Sequence, residues 1–223
     1  MSDDTAVLLS GGLDSGVLLA REALERTVQP VYVSTGLAWE SDELATIERL
    51  LAAPMFADRV RPLARLEVSV RDVYASSHWA VVGKPPAYDT PDEDVYLHGR
   101  NVMLLSKAAV FCATRNLSRI ALGPLAGNPF PDATPEFFSA MARALSLGLD
   151  HPIEIATPLV ALHKPDVVSL GVKLQVPFAL TLSCMNPSQQ QHCGLCSKCR
   201  ERHDAFAAAG LDDPTRYLHP PPR

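Results

Sequence analysis

The stretch that decides the fold is SGGLDS at residues 10–15, which lies between the apolar run AVLL (6–9) and the segment GVLLAREALE (16–25). Two adjacent glycines after a buried strand allow the backbone to turn its N–H groups into one concave surface. The helix that follows adds unpaired N–H groups and the positive end of its dipole. The segment therefore predicts a turn that binds phosphate or pyrophosphate, with an ordinary glycine-rich turn as the alternative.

Two better-known phosphate-binding patterns do not fit this turn. SGGLDS lacks the lysine of the pattern G-x-x-x-x-G-K-[ST], and its glycines do not have the spacing G-x-G-x-x-G. Asp14 also needs an explanation, because a carboxylate beside a triphosphate is repelled unless a cation lies between them. Asp14 therefore indicates Mg²⁺, while the alternative is that Asp14 or Ser15 only caps the helix.

Short apolar, β-branched runs alternate with longer helical patterns along the rest of the chain. The predicted strands are residues 6–9, 30–35, 66–70, 119–123 and 153–159, and the predicted helices are residues 15–26, 41–52, 100–115, 134–148, 163–174 and 197–209. This alternation predicts an α/β fold with a doubly wound, mostly parallel sheet and helices on both faces. Ligands of such folds bind at the carboxyl ends of the strands, which is where SGGLDS stands.

Residues 72–98 interrupt the alternation with a PP pair, the segment YDTPDED and scattered aromatic residues. A stretch of this length without a clear period is usually functional or disordered. Two interpretations fit it equally well: a solvated loop, or a flap over the active site.

The composition limits the classes of function. The chain has 223 residues, of which 47% are hydrophobic and 20% charged, and a net charge of -5 without a block of like charges. This balance gives no general affinity for nucleic acid or for an anionic membrane. The N-terminus carries acids where a signal peptide carries bases, and no apolar run approaches the roughly 20 residues that span a bilayer. We therefore expect a cytoplasmic protein that binds neither nucleic acid nor membrane.

Four of the five cysteines lie within sixteen residues, namely Cys184, Cys193, Cys196 and Cys199. Because a reducing compartment disfavours disulfides, this cluster predicts metal binding. Four thiolates that fill a tetrahedral shell are typical of a structural Zn²⁺ site, with an iron–sulfur cluster as the competing assignment. His192 and His203 lie nearby, as spare ligands or as surface residues.

In this context SGGLDS resembles the SGGxDS signature of the PP-loop ATP pyrophosphatases, which cleave ATP to AMP and pyrophosphate. The resemblance implies that the chain uses ATP and Mg²⁺ to transfer adenylate to an oxygen atom of its substrate. It also implies a set of nucleotide-binding residues, which are Leu9, Ser10, Gly11, Gly12, Leu13, Asp14, Ser15, Asn101 and Gly123.

Three further segments resemble the 7-cyano-7-deazaguanine synthase family. They are SCMNPSQQQHCGLCSKCRERHDAFAAAGLDDPTRY (183–217), HGRNVMLLSKAA (98–109) and TPLVALHKPDVV (157–168). This resemblance implies an ATP-dependent carbon–nitrogen ligase that converts 7-carboxy-7-deazaguanine and free ammonia into 7-cyano-7-deazaguanine. It implies catalytic roles for Asp14, Lys164 and Arg100 and a zinc ion on the four cysteines.

The same resemblance implies the organisation of the chain. A PP-loop ATP pyrophosphatase domain would occupy residues 1–180, and a C-terminal four-cysteine, zinc-binding helical region would occupy residues 181–223. Members of the family are commonly homodimers, and the apolar helices predicted at 100–115 and 134–148 are compatible with that state.

Two segments depart from the family pattern where contacts to the substrate are expected. The family has a glutamine-arginine-histidine segment where this chain reads TGLAWESDE (35–43), and YPDCR where it reads FPDAT (130–134). Asn128 and Asp132 are the candidate substrate-binding residues. The alternatives are therefore a related enzyme that stops at the amide or adenylates another carboxylate or amide, in a small molecule, a protein or tRNA, and a zinc-binding module without activity.

Overall fold

A computed structural model describes residues 4–222 of the chain. In this range five strands form one parallel sheet in the order β3-β2-β1-β4-β5. The strands are β1 (Thr5–Leu8), β2 (Val28–Ser34), β3 (Ala64–Glu67), β4 (Arg119–Ala121) and β5 (Glu154–Ala156). Each strand overlaps its predicted position, so the predicted parallel α/β sheet is confirmed.

The helices lie between the strands. They are α1 (Leu13–Glu25), α2 (Glu40–Leu51), α3 (Trp79–Val82), α4 (Arg100–Thr114), α5 (Pro135–Leu149), α6 (Lys164–Lys173) and α7 (Ser197–Ala208). Short 3-10 turns occupy Pro54–Phe56, Asp92–Val95, Pro131–Ala133 and Phe178–Leu180. In the described part of the chain, no helix has the length and apolar character needed to cross a membrane.

Two hydrophobic cores cover the two faces of the sheet. Successive side chains of a strand point to opposite faces, so Val7 enters one core while Ala6 enters the other. The first core contains side chains from α1, α2, α6 and α7, and the second contains side chains from α4 and α5. Phe206 of α7 is fully packed in the first core, so the helix that follows the cysteines is anchored to the sheet domain.

The order of the strands places a crevice beside β1. The chain builds β2 and β3 on one side of β1 and then returns to build β4 and β5 on the other side. Connections diverge at such a switch point, which opens a space at the carboxyl ends of the strands. SGGLDS is separated from the end of β1 by only one residue and therefore lies at the edge of that space.

The start of α1 differs from the prediction. Asp14 or Ser15 was the candidate cap of this helix, but it begins at Leu13 and its N-cap is Gly12, which has no side chain to make a capping hydrogen bond. The helix starts early because Gly11 has a φ of +75°, and a Cβ there would lie 3.1 Å from Cγ1 of Ile47. Asp14 and Ser15 therefore lie within the first turn, and no side chain caps this end of the helix.

Residues 72–98 are partly folded against the protein, while many of their side chains remain exposed. Ala80 of α3, Val95 and Leu97 are buried in a third small core together with Trp39. The segment also contacts the cysteine region, since the N–H of Ser197 donates to the carbonyl oxygen of Pro86 at 3.4 Å. Its packing places it beside the crevice at the strand ends.

Candidate active site

A cavity of about 630 Å³ opens at the carboxyl ends of β1, β2 and β4. It collects residues that are far apart in the sequence. Among the residues predicted to bind nucleotide or substrate or to act in catalysis, those that line it are Leu9, Ser10, Gly12, Leu13, Asp14, Ser15, Arg100, Asn101, Gly123, Asn128, Asp132 and Lys164. Gly11 does not line the cavity but packs behind the turn, against α2.

The turn at residues 10–15 holds its hydroxyl groups together at the cavity wall. Ser15 donates from Oγ to the carbonyl oxygen of Gly12 at 3.1 Å, and its Oγ lies 3.3 Å from Oγ of Ser10. Because no side chain caps α1, the N–H groups of its first turn remain available to an anion. This arrangement suits a phosphate or pyrophosphate group.

Asp14 and Lys164 meet across the turn. Nζ of Lys164, the first residue of α6, donates to Oδ2 of Asp14 at 2.6 Å. Burial lowers the pKa of Lys164, but the carboxylates of Asp14 and Glu201 outweigh this effect and raise the pKa above its ordinary value. Among the described residues, Oδ1 of Asp14 is a buried oxygen without a hydrogen-bond partner. A carboxylate oxygen in this position fits the preference of Mg²⁺ for oxygen ligands.

Helix α7 adds two charged groups to this wall that the sequence did not single out. Oε1 of Glu201 lies 2.7 Å from Nζ of Lys164, and Oε2 of Glu201 lies 2.6 Å from Nζ of Lys198. Burial raises the pKa of Glu201, but the two lysines outweigh it and hold the pKa at about 2. We call the turn at 10–15, together with the side chains of Lys164, Lys198 and Glu201, the PP-loop side of the cavity.

The opposite wall contains a buried carboxyl group. Glu43 accepts a hydrogen bond from the hydroxyl group of Tyr32 at 2.8 Å and another from Nε1 of Trp39 at 3.1 Å. Burial raises the pKa of Glu43 to about 7, even though the charge of Arg100 opposes the shift. The four-residue spacing between Trp39, the N-cap of α2, and Glu43 within that helix was the available sequence signal, but it does not reveal that the carboxyl group faces inward.

Aromatic side chains complete this wall. Trp39 stacks on Trp79 with ring centroids 5.8 Å apart, and Tyr96 stacks on Phe130 at 5.2 Å. All four line the cavity, and Trp79 and Tyr96 come from the 72–98 segment. Together with Glu43 they form what we call the aromatic side of the cavity. Flat, apolar surfaces of this kind suit a planar heterocycle.

The remaining predicted residues lie between the two sides. Asn101 donates from its backbone N–H to Oδ2 of Asp132 at 2.9 Å and from Nδ2 to the carbonyl oxygen of Asp132 at 2.9 Å. Oδ1 of Asn128 accepts from the backbone N–H of Phe130 at 2.9 Å. In this structure Asp132 and Asn128 therefore hold the backbone at the start of α4 and before the Pro131–Ala133 turn.

Arg100 is placed on the aromatic side. Its positive charge acts to lower the pKa values of Tyr32, Glu43 and Tyr74, so these three side chains lie near it. Its Nε is buried and has no hydrogen-bond partner among residues 4–222. A guanidinium group with an open donor at the cavity suits an anionic group of a ligand.

The four cysteines form one compact, buried group. Their sulfur atoms all lie within 4.8 Å of one another, with separations of 3.5 Å between Cys196 and Cys199 and 4.0 Å between Cys196 and Cys184. Four sulfurs placed about 2.3 Å from a tetrahedral zinc ion would stand about 3.8 Å apart. The geometry therefore fits a metal ion with four thiolate ligands.

The two nearby histidines are not part of this group. His192 is buried, accepts a hydrogen bond at Nε2 from the N–H of Ser183 at 3.0 Å, and has its pKa lowered by burial to about 3. His203 is partly exposed on α7 and stands beside Asp204. His192 is thus neither a surface residue nor a member of the metal-binding group.

Residues 216–219 close the loop that carries Cys193. The N–H of Leu218 donates to the carbonyl oxygen of His192 at 2.8 Å, and the N–H of His219 donates to that of Cys193 at 3.3 Å. Gly194 has a φ of +80°, and a Cβ there would lie 1.9 Å from the carbonyl oxygen of His219. Only glycine permits this close approach.

Arg202 links the cysteine region to the rest of the protein. Its buried guanidinium donates to Oγ1 of Thr181 at 2.9 Å and to the carbonyl oxygen of Phe178 at 2.9 Å. It also donates to Oγ1 of Thr215 at 2.5 Å. One side chain thus joins the segment before the first cysteine to the segment after α7.

Comparisons with known proteins agree with this geometry. The model of the family "Queuosine biosynthesis protein QueC" matches residues 4–210. The chain is 34% identical to 7-cyano-7-deazaguanine synthase of Thermoplasma volcanium, over 97% of this chain and 92% of the relative. It is 35% identical to the enzyme of that name from Anaeromyxobacter dehalogenans, over 95% and 94%.

A solved structure shares the fold. A predicted subunit of tRNA methyltransferase from Methanocaldococcus jannaschii aligns with a TM-score of 0.50 and 14% identity, over 97% of this chain and 92% of that one. At this level of identity the likeness concerns the fold alone.

Proposed function

The chain belongs to the family of the queuosine biosynthesis protein QueC, and on this premise we propose that it uses ATP to convert 7-carboxy-7-deazaguanine and ammonia into 7-cyano-7-deazaguanine. The observation that carries the proposal is the contact of Lys164 with Asp14 at the PP-loop turn. This contact brings together the ammonium group of Lys164, the carboxylate of Asp14, one oxygen of which has no hydrogen-bond partner among the described residues, and the uncapped N-terminus of α1. Those are the groups that a departing pyrophosphate requires.

The first half of the reaction activates the carboxylate. A carboxylate oxygen attacks the α-phosphorus of ATP, the bond to the pyrophosphate breaks, and an acyl adenylate forms. The turn at 10–15 and Lys164 would hold the pyrophosphate, while Arg100 on the aromatic side would hold the carboxylate. Ammonia then attacks the acyl carbon, and AMP leaves with one oxygen of the original carboxylate.

The second half converts the amide into the nitrile. The amide oxygen attacks the α-phosphorus of a second ATP and pyrophosphate leaves again. Loss of both protons from nitrogen and of AMP from carbon then gives the C≡N bond. The second carboxylate oxygen therefore also leaves in AMP. The cavity assists both halves by placing the reacting atoms together, which is the main contribution of a protein to such transfers.

The metals have different proposed roles. Mg²⁺ would neutralise phosphate charge, with Oδ1 of Asp14 as a ligand, because that buried oxygen has no other partner in the described chain. Zn²⁺ would be held by the four cysteines, whose spacing leaves no position for water. The role of such an ion is to stabilise the fold of residues 184–199.

The partners follow from the same proposal. The planar deazapurine would stack on the aromatic side, where Trp39, Trp79, Tyr96 and Phe130 line the cavity. Free ammonia would supply the nitrogen. A cytoplasmic location, where thiols are kept reduced, would suit metal binding by the four clustered cysteines.

One experiment tests the proposal directly. The protein is incubated with Mg²⁺, ATP, ammonium and 7-carboxy-7-deazaguanine labelled with ¹⁸O in both carboxylate oxygens, and the products are identified by mass spectrometry. We expect the nitrile together with two labelled AMP molecules for each nitrile. An amide with one labelled AMP would show an enzyme that stops halfway. No labelled AMP would overturn the proposal.

A further inference from the structure

The feature that the proposed function leaves unused is the pair Lys198 and Glu201 on α7. Both side chains line the cavity, although the helix that carries them begins directly after Cys196. Glu201 joins two lysines, with Oε1 at 2.7 Å from Lys164 and Oε2 at 2.6 Å from Lys198. The side chains of Lys164, Glu201 and Lys198 are each exposed by about a quarter or less. Water therefore screens their charges only partly.

The position of the Glu201 carboxylate on the PP-loop side requires an explanation. The PP-loop side would receive a highly charged anion, and a carboxylate beside a pyrophosphate costs energy through like-charge repulsion. Asp14 is explained by a cation, whereas each oxygen of Glu201 already contacts a lysine. Its contacts are those of a group that fixes cations.

We propose that Glu201 is a positioning residue that holds Lys164 in the cavity, and that Lys198 offsets the charge of Glu201 so that the nucleotide is not repelled. When Lys164 transfers its contact from Asp14 to a phosphate oxygen, Glu201 still holds its ammonium group from the other side. Helix α7 thereby makes the cysteine region part of the nucleotide site. This inference rests on the proposed use of ATP.

Glu201 and Lys198 are expected to have different effects, and single and double variants distinguish them. Glu201→Gln keeps the size of the side chain but releases Lys164, so we expect kcat for AMP formation to fall about tenfold without weaker binding of ATP. Lys198→Met leaves the carboxylate uncompensated, so we expect the dissociation constant of Mg-ATP to rise about tenfold.

The double variant gives the decisive result. Removing both charges restores the balance, so K198M/E201Q should bind Mg-ATP within about twofold of the unchanged protein while keeping the low kcat. A purely structural role of the pair predicts instead that the two changes add. Binding is measured by isothermal titration calorimetry with Mg-ATP, and metal content is measured to confirm that the cysteine site is intact.

Matched controls lie on the same two helices. Asp204→Asn makes the same charge change on the exposed face of α7, and Lys173→Met does so at the end of α6. Both should behave as the unchanged protein. If the unchanged protein binds no Mg-ATP, the proposed function itself is wrong. If it binds Mg-ATP but the variants match the controls, or the double variant is additive, the role of this pair is overturned.

Discussion

The PP-loop side and the aromatic side of the cavity are assembled in opposite ways. The first is centred on six consecutive residues, whose backbone supplies the N–H groups, with Lys164 added from α6 and Lys198 and Glu201 from α7. The second is collected from separate segments, with Trp39 from the N-cap of α2, Glu43 from α2, Trp79 from α3 and Phe130 from the loop before the Pro131–Ala133 turn. A contiguous backbone turn is rigid and tied to one chemistry, whereas a wall of separate side chains can change its ligand by single substitutions.

The cysteine region supports both sides, and breaking it should have the largest effect. Cys196→Ser removes one of four sulfur ligands, so metal affinity should fall by more than the roughly 10- to 100-fold that loss of an outer partner costs. Metal binding is also folding free energy, so α7 should lose its fixed position. Metal analysis and thermal unfolding measure this effect. A variant with full metal content and activity would contradict a structural site.

A change on the PP-loop side should strongly lower the rate of AMP formation and leave the fold intact. Lys164→Ala should lower AMP formation by about 10²- to 10³-fold, because a preorganised cation at a developing charge contributes that much. Asp14→Asn should have a comparable effect through the loss of a cation ligand. Activity, metal content and thermal unfolding are compared with those of Lys173→Ala. Normal turnover in either variant would remove that residue from the mechanism.

Glu43 on the aromatic side should make the stability of the protein depend on pH. The folded-state pKa of Glu43 is raised to about 7 from 4.5, so the folded protein binds the proton more tightly than the unfolded chain does. The contribution of Glu43 to stability should therefore be fully present below the unfolded pKa and be lost as the pH rises through 7, which amounts to on the order of 3 kcal/mol.

Glu43→Gln imitates the protonated acid and should remove this part of the slope. The measurement is the free energy of unfolding by denaturant between pH 5 and 8, with the exposed Glu48→Gln as the control. Identical slopes for the unchanged protein and for Glu43→Gln would show that Glu43 does not carry a proton in this range.

The smallest effect is expected at the stacked tryptophans. Trp79→Ala removes one ring of the Trp39 pair, and the loss of about 1 kcal/mol of stacking should raise KM for the deazapurine acid about fivefold. KM for ATP should not change, because the PP-loop side is untouched. Val82→Ala, at an exposed position of the same helix, is the control. An equal rise in KM for ATP would contradict the division of the cavity into two sides.

The sequence was informative where chemistry is local in the chain. The strand–SGGLDS–helix unit, the cysteine spacing and the order of strands and helices are set by neighbouring residues, and the structure has them at the predicted places. The predicted cap of α1 was wrong because the left-handed Gly11 lets the helix begin earlier than the side chains suggest. Local patterns do not report such backbone geometry.

The sequence was silent where tertiary packing decides. Glu43 is a carboxyl buried against the usual rule for acids, and only the positions of Tyr32 and Trp39 make this burial tolerable. Glu201 reaches Lys164 only because α7 packs beside α6, 37 residues later in the numbering than the lysine. No periodicity encodes which polar residue of a helix faces a cavity.

The backbone pairing of residues 216–219 with the loop at Cys193 also sets an order of events during synthesis. The ribosome makes the chain from the N-terminus, so the cavity-lining residues, which end at Glu201, are all translated before residues 216–219 exist. The loop with Cys193 cannot close on its backbone partners until then. A nascent chain can thus form its sheet and PP-loop turn before the loop at Cys193 is closed.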